Sequence, residues 1–263
     1  MKASFKINRF NKLVAKEFKE SLPIVLKMAM ILSIVLIGTW LVSMLTSGSV
    51  SADARYGIIK TGMYISMFLF PFVIYKYVNG KKAGVDYAML PVSGEEKFLS
   101  MIIVSSLISP IVILITSIFT DVVLASVSSQ IFTGQITGTN NFFANLPSDL
   151  LDMLLLQTYA IFGNLFFLHN KAIKTLLWML VINIAIGMLV LISIKYMFDV
   201  PAFENNSFSL GVGQSVTING NKYIQGMSPA FDNIMTFIKI LMFIIMPLAL
   251  VVGSYFRLKT QKY

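Results

Sequence analysis

Ser93 stands three residues ahead of Glu96, with Gly94 and Glu95 between them. At this spacing the serine hydroxyl can accept from the backbone of the glutamate while the carboxylate reaches back to the backbone of the serine, the arrangement that starts a helix. Glu95 and Glu96 then occupy a first turn, where the helix dipole favours negative charge. Pro91 ends whatever precedes, and Lys97 follows where an apolar run begins. The stretch Leu90, Pro91, Ser93, Glu95, Glu96, Lys97 therefore reads as a short charged helix start wedged between two apolar segments. Such an element is placed to receive a push from a soluble partner and pass it into a membrane. The plainer alternative, that it only begins the next apolar helix, stays open.

Covalent chemistry is absent from the pattern. The chain has one histidine, His169, and no cysteine, which removes the usual zinc, thiol and disulfide chemistries. No G-x-x-x-x-G-K-[ST] sequence is present, so nucleotide is not bound by a P-loop, and H-E-x-x-H and G-x-S-x-G are absent too. Gly211-Val212-Gly213 lacks the third glycine of a dinucleotide fingerprint. No catalytic residue, cofactor site or metal site is expected in this chain. Its 21 Lys and Arg against 12 Asp and Glu give a net charge of +9. The basic residues flank apolar runs without interleaved aromatics, which argues against nucleic acid and for membrane orientation.

Polar residues inside apolar runs are costly in lipid and worth weighing as sites. Asp121 and Asp152 lie near the outer ends of the third and fourth runs and Lys239 about one and a half turns inside the sixth. An ion pair or a polar outer vestibule formed by them would suit transport, and snorkelling accounts for each singly. Gln157 and Asn164, seven residues apart and so on nearly one helix face, line a pathway or glue helices together, as does Asn183. Pro71, Pro110 and Pro247 interrupt three runs, and each permits a kink.

The elements that must carry these residues are membrane helices. The chain is 56% hydrophobic and 13% charged, where a soluble protein is about 25% charged, and its mean hydropathy is +0.78. A bilayer core of about 30 Å needs roughly 20 apolar residues in a helix. Six stretches qualify: Met28–Thr46, Gly57–Tyr75, Phe98–Thr120, Leu150–Leu168, Thr175–Ile194 and Ile234–Phe256. The expected fold is an all-α integral membrane protein, a single transmembrane domain over residues 1–263.

Six spans sort the basic residues sharply. Sixteen of the 21 fall on one side: those before Met28, then Lys76, Lys81, Lys82, Lys97, Lys171, Lys174, Arg257, Lys259 and Lys262. Arg55, Lys60, Lys195, Lys222 and Lys239 fall on the other. The positive-inside rule then puts both termini in the cytoplasm, with the protein in the cell (cytoplasmic, inner) membrane. The first apolar run is longer than the core of a cleavable leader and follows a long basic segment, so it reads as a span.

Residues 1–23 form a cytoplasmic segment. Within it residues 5–20 read as an amphipathic helix lying in the membrane interface, with Ile7, Phe10, Leu13, Val14 and Phe18 on one face. Ser21-Leu22-Pro23 is expected to turn the chain into the bilayer. Residues 76–97 form a cytoplasmic loop with a turn at Asn79-Gly80 and a short helix over Val85–Leu90. Residues 198–232 form an external loop, where Ser215–Ile218 and Asn221–Ile224 alternate around Asn219-Gly220, the signature of a small β-hairpin.

Three features together resemble the permease subunits of ABC-2 type transporters: the amphipathic helix ahead of the first span, Leu90-Pro91-Val92-Ser93 followed by Glu95-Glu96-Lys97-Phe98-Leu99, and a last span ending in the basic tail Tyr255–Lys259. The resemblance covers nearly the whole chain as architecture and about ten residues as sequence. It implies a six-span protomer that pairs with a second permease protomer, identical or not, and with two cytoplasmic ATPase subunits that hold the ATP and magnesium. In that family the loop between spans two and three contacts the ATPase, a role that would fall on Leu90–Lys97. The implied activity is export by alternating access, driven by hydrolysis in the partner. The external hairpin departs from the family pattern. The other reading is a non-transport sensor, assembly factor or scaffold with an external recognition loop.

Overall fold

The computed structural model describes residues 5–78, 87, 89–138, 140–198, 208–210, 215–218, 221–224 and 229–260. The chain divides into two units, Met1–Ala172 with Val251–Tyr263, and Ile173–Leu250.

Helix α1 runs unbroken over Ile7–Leu45, 39 residues, roughly 58 Å at 1.5 Å per residue. Its buried stripe is Leu13, Glu17, Ser21, Val25, Ala29, Leu32 and Leu36, in steps of four and three. The break expected at Pro23 does not occur: the interfacial helix and the first span are one rod. A proline removes one intrahelical hydrogen bond, but Ser21 and Val25 are buried on either side of it. The Ser21 hydroxyl also donates to the Phe18 carbonyl at 3.0 Å. Tertiary contact on both sides holds the two halves in line.

A short strand, β1 (Val50–Ser51), leads into α2 (Ala52–Ile74). Ser51 caps α2 by accepting from the Ala54 N–H at 3.3 Å, and Asp53 sits in its first turn. Helix α3 (Gly94–Ile102) continues through a π-helical segment, Ile103–Ile108, into α4 (Ser109–Val127). The π segment lies just ahead of Pro110, which has no N–H to give the carbonyl four residues back. Two serine hydroxyls fold back on this stretch: Ser105 donates to Met101 O at 2.6 Å and Ser109 to Val104 O at 2.7 Å. Strand β2 (Phe132–Thr133), α5 (Asn140–Phe166) and α6 (Lys171–Phe198) follow.

After the three short strands β3 (Phe208–Leu210), β4 (Ser215–Ile218) and β5 (Asn221–Ile224), the chain forms α7 (Pro229–Ile240). A second π segment, Leu241–Ile245, again just ahead of a proline, Pro247, joins α7 to α8 (Met246–Thr260). Pro71, by contrast, sits inside α2 without breaking it.

Among the described residues, five helical stretches are long and apolar enough to cross a membrane: Ile7–Leu45, Ala52–Ile74, Gly94–Val127, Lys171–Leu189 and Thr236–Thr260. This is the build of a multi-pass membrane protein. Large apolar side chains such as Ile34, Phe119, Leu180 and Leu248 are exposed on them, as lipid-facing surfaces require. Helix α5, expected as the fourth span, has 27 residues but stands outside this set. Asp149, Asp152, Gln157 and Asn164 dilute its apolar content.

In the first unit α1 runs parallel to α3 and α4. Arg9 meets Glu96, Glu17 meets Ser100 and Ser33 meets Thr120, in the same order along both. Helix α2 runs the opposite way, with Arg55 against Asp121 at one end and Tyr75 against Glu17 at the other. Val25, Ala29, Leu32, Ile59, Met63, Met67, Phe70, Met101, Ile113, Ile161 and Leu165 form the shared core. Gly62 lets Leu32 approach so closely that an added Cβ would lie 2.4 Å from the Leu32 Cδ1. Strands β1 and β2 pair in parallel, Val50 with Phe132 and Ser51 with Thr133.

The second unit holds most of α6, the sheet, α7 and its π segment. Its sheet has the order β3-β4-β5, all antiparallel. Ser215 pairs with Ile224 and Ile218 with Asn221. The Asn219-Gly220 turn expected between them lies outside the described residues, as do Asn79-Gly80 and most of the short helix expected over 85–90.

Candidate functional site

The helix start read from Ser93 and Glu96 forms. Ser93 is extended at φ −71° and ψ 157°, its hydroxyl accepts from the Glu96 N–H at 3.2 Å, and Glu96 Oε2 accepts from the Ser93 N–H at 2.7 Å. The same carboxylate holds the start of α1. Glu96 Oε1 accepts from the Lys6 N–H at 2.8 Å and from Arg9 Nη2 at 2.8 Å, while Arg9 Nε donates to both oxygens at 3.2 and 3.0 Å. Glu96 is 0% exposed. Four groups converge on it because the capping geometry turns the carboxylate back toward the chain, where the parallel α1 begins.

A second buried carboxylate, Glu17, binds in the reverse direction, from α1 to its neighbours. Ser100 donates to Glu17 Oε2 at 2.6 Å, Tyr75 to the same oxygen at 2.8 Å, and Tyr87 to Oε1 at 3.3 Å. Tyr77, in the turn after α2, has its phenol pushed up to about 12 by burial and then by the carboxylates Glu17 and Glu20, so it stays neutral. Tyr77 and Tyr87 meet edge to face at 5.9 Å. Together with Leu13, Lys16, Glu17, Glu20 and Leu90 they border a cavity of about 300 Å³.

The C-terminal helix reaches the same place. The Tyr255 hydroxyl lies 3.4 Å from Glu95 Oε1, and the Tyr255 ring packs on Phe98 with centroids 5.8 Å apart. The start of α1, the turn Leu90–Lys97 and the end of α8 therefore meet at one junction, although they are far apart in the chain.

This junction changes the outlook of two residues expected to face a partner. Glu96 is spent on Arg9 and Lys6, and Lys97 is 8% exposed, with its ammonium 5.4 Å from the Tyr87 ring centre. Pro91 and Glu95 are exposed, while Leu90 and Ser93 are half-buried. The outward surface of the element is thus narrower than the sequence suggests.

At the opposite end of α2 lies a second polar cluster. Arg55 and Asp121 are 0% and 1% exposed, with Arg55 Nε donating to Asp121 Oδ1 at 2.7 Å. The Arg55 Nη1 donates to the carbonyls of Val50 at 2.9 Å and Thr133 at 3.2 Å, and Nη2 donates to Gly134 at 2.6 Å. The Phe132 ring lies 4.5 Å from the guanidinium carbon. Beside it, Asp149 accepts from Tyr56 at 2.5 Å and from Lys60 at 2.6 Å. From Arg55 to Tyr75 is about twenty helical residues, roughly 30 Å, the thickness of a bilayer core.

The remaining expected site residues scatter. Asp121 belongs to the Arg55 ion pair, Asp152 is exposed on α5, and Lys239 is half-buried in the second unit. Asn164 is buried and cements loops, donating to the Tyr75 carbonyl at 3.2 Å and accepting from Lys171 at 3.0 Å. Gln157 is also fully buried, and its amide has no hydrogen-bond partner among the described residues. Asn183 is exposed and bonds to its own helix, at Met179 O, 2.8 Å.

Sequence reasoning missed Glu17 and Arg55. Glu17 had a legible signal: it falls four residues after Leu13 and four before Ser21, on the stripe that α1 buries. Arg55 had none, because a basic residue beside an expected loop looks like any topology anchor. No protein-family model, curated protein or solved structure matches this chain.

Proposed function

We propose that this chain is the six-span permease subunit of an ATP-driven, ABC-type transporter, with both termini and the turn Leu90–Lys97 in the cytoplasm. In this reading α5 supplies the fourth of six crossings; Asp149 and Asn164 on it are paired with Tyr56, Lys60, the Tyr75 carbonyl and Lys171, which lowers their cost in lipid. The observation that supports it most is the junction: the three segments that carry the family resemblance meet through Arg9–Glu96 and Tyr255–Glu95. A partner that binds the exposed Pro91 and Glu95 thereby gains hold of the start of α1 and of α8 near Tyr255.

The mechanism follows from rigid coupling. Two ATPase subunits that close on ATP draw two such junctions together, and the attached helices change the opening between two permease protomers. Two discrete packings are needed, with ATP biasing one of them. Export is the direction in keeping with the resemblance. Affinity purification of the tagged chain from its native membrane should recover a P-loop ATPase subunit; recovery of the chain without any ATPase, under conditions that keep membrane complexes intact, would count against the reading.

A second reading has one observation in its favour, the three-stranded sheet β3-β4-β5 between α6 and α7. As an external recognition surface it suits a sensor or scaffold. Such a protein would fold and function without an ATPase, so the same purification separates the two.

A further inference from the structure

We infer that Arg9 is a positioning residue that locks α1 to the turn Leu90–Lys97, so that a push on this turn is carried through the membrane by α1. The inference rests on the permease reading and adds the route of transmission to it.

Two carboxylates bind α1 to α3 reciprocally. Glu96 of α3 takes the fork of Arg9 and the N–H of Lys6, and Glu17 of α1, two turns further on, takes the hydroxyl of Ser100. A bidentate arginine–carboxylate pair fixes orientation as well as distance. Both carboxylates are buried while Arg9 is partly exposed, so the Glu17 contact is shielded from solvent and the Arg9–Glu96 contact is screened less than a fully exposed pair. Over this stretch α1 and α3 form one body.

Beyond the junction the two helices differ. Helix α3 runs at once into the π segment Ile103–Ile108, closed by Pro110. Such segments are sites of local bending. Helix α1 continues without interruption to Leu45. A displacement entering at Pro91–Glu95 is therefore absorbed along α3 and delivered along α1. Along its far part α1 borders an open groove of about 590 Å³, with Met28, Ile31 and Val35 facing Gly57, Thr61 and Ile65 of α2 and with Leu32 closed against Gly62 between them.

The test has two arms. In the first, spin labels are placed on Lys12→Cys and Leu99→Cys, both exposed, in a chain with no cysteine of its own, and their distance distribution is measured in the purified protein. It should be narrow with Arg9 present, clearly broader in Arg9→Gln, and partly restored in Arg9→Lys, which keeps the charge without the fork. Thermal unfolding of each variant separates local release from general misfolding; should Arg9→Gln unfold, Arg9→Lys alone carries the comparison. In the second arm, the permease–ATPase complex is purified with each variant. Arg9→Gln should retain the ATPase subunit yet lose about tenfold of the change in hydrolysis rate that the permease imposes. An unchanged distance distribution in Arg9→Gln overturns the inference, as does normal coupling despite a broadened one. Absence of any ATPase from the wild-type complex is a different result, and it defeats the permease reading itself.

Discussion

Arg55 donates to Asp121 at 2.7 Å with both side chains removed from solvent, and its remaining N–H groups close the loops that follow α1 and α4. One guanidinium thus ties together β1, α4 and the segment after β2. A buried pair of this kind contributes little if both partners are exchanged for well-fitted apolar groups, but removing one partner strands the other.

Replacing Asp121 with Asn should therefore destabilise the protein by about 3–5 kcal/mol, the cost of an uncompensated buried charge. Arg55→Met should be worse, because it also strands the carbonyls of Val50, Thr133 and Gly134, each worth about 1–3 kcal/mol when left unsatisfied. Thermal unfolding in detergent reads both. Equal and negligible shifts would show that the loops hold without this node.

The topology is open to labelling on a cysteine-free background. A cysteine at Ser129 or Gly220 should react with an impermeant reagent added outside intact cells, and one at Gly80 should not. Reversal at any of these positions refutes the six-span arrangement with internal termini.

The chain by itself should not hydrolyse ATP, since it has no P-loop. Purified protein stripped of any ATPase subunit should show no turnover. Activity that co-elutes with the chain after such stripping would end the proposed division of labour.

Glu95 is exposed and its neighbour Glu96 is buried, and under the permease reading substitution should separate them. Glu95→Lys should leave stability nearly unchanged, because Glu95 is exposed with one long contact to Tyr255, yet weaken ATPase association, where a charge facing its own sign can cost several kcal/mol. Ser93→Ala should cost about 0.5–2 kcal/mol of stability by removing the cap, with milder effect on association. If Glu95→Lys leaves association and transport intact, the turn is only the beginning of α3.

Much of this architecture was legible beforehand, and the reason is local. Long apolar runs with few charges read as membrane-spanning helices, and Ser93 with Glu96 three residues on specifies a cap through backbone bonds made within one turn. Strand pairing over Ser215–Ile224 has the same short-range origin. These features follow from residues close in the chain, so composition and spacing suffice to read them.

The straightness of α1 and the duties of the buried charges have another origin. Pro23 forbids one hydrogen bond, but whether the helix then breaks depends on what Ser21 and Val25 touch, and those contacts come from other helices. Glu17 and Arg55 look alike in the sequence as ordinary interfacial charges, and the cap read at Glu96 gives no hint of Arg9. A charge is kept in the interior only when its partners arrive from elsewhere: Ser100 and Tyr75 for Glu17, Asp121 for Arg55, Arg9 for Glu96. Those partners lie from 58 to 87 residues away along the chain, beyond the reach of any local pattern, and only the parallel course of α1 beside α3 and α4, with α2 running back between their ends, brings them within hydrogen-bonding distance.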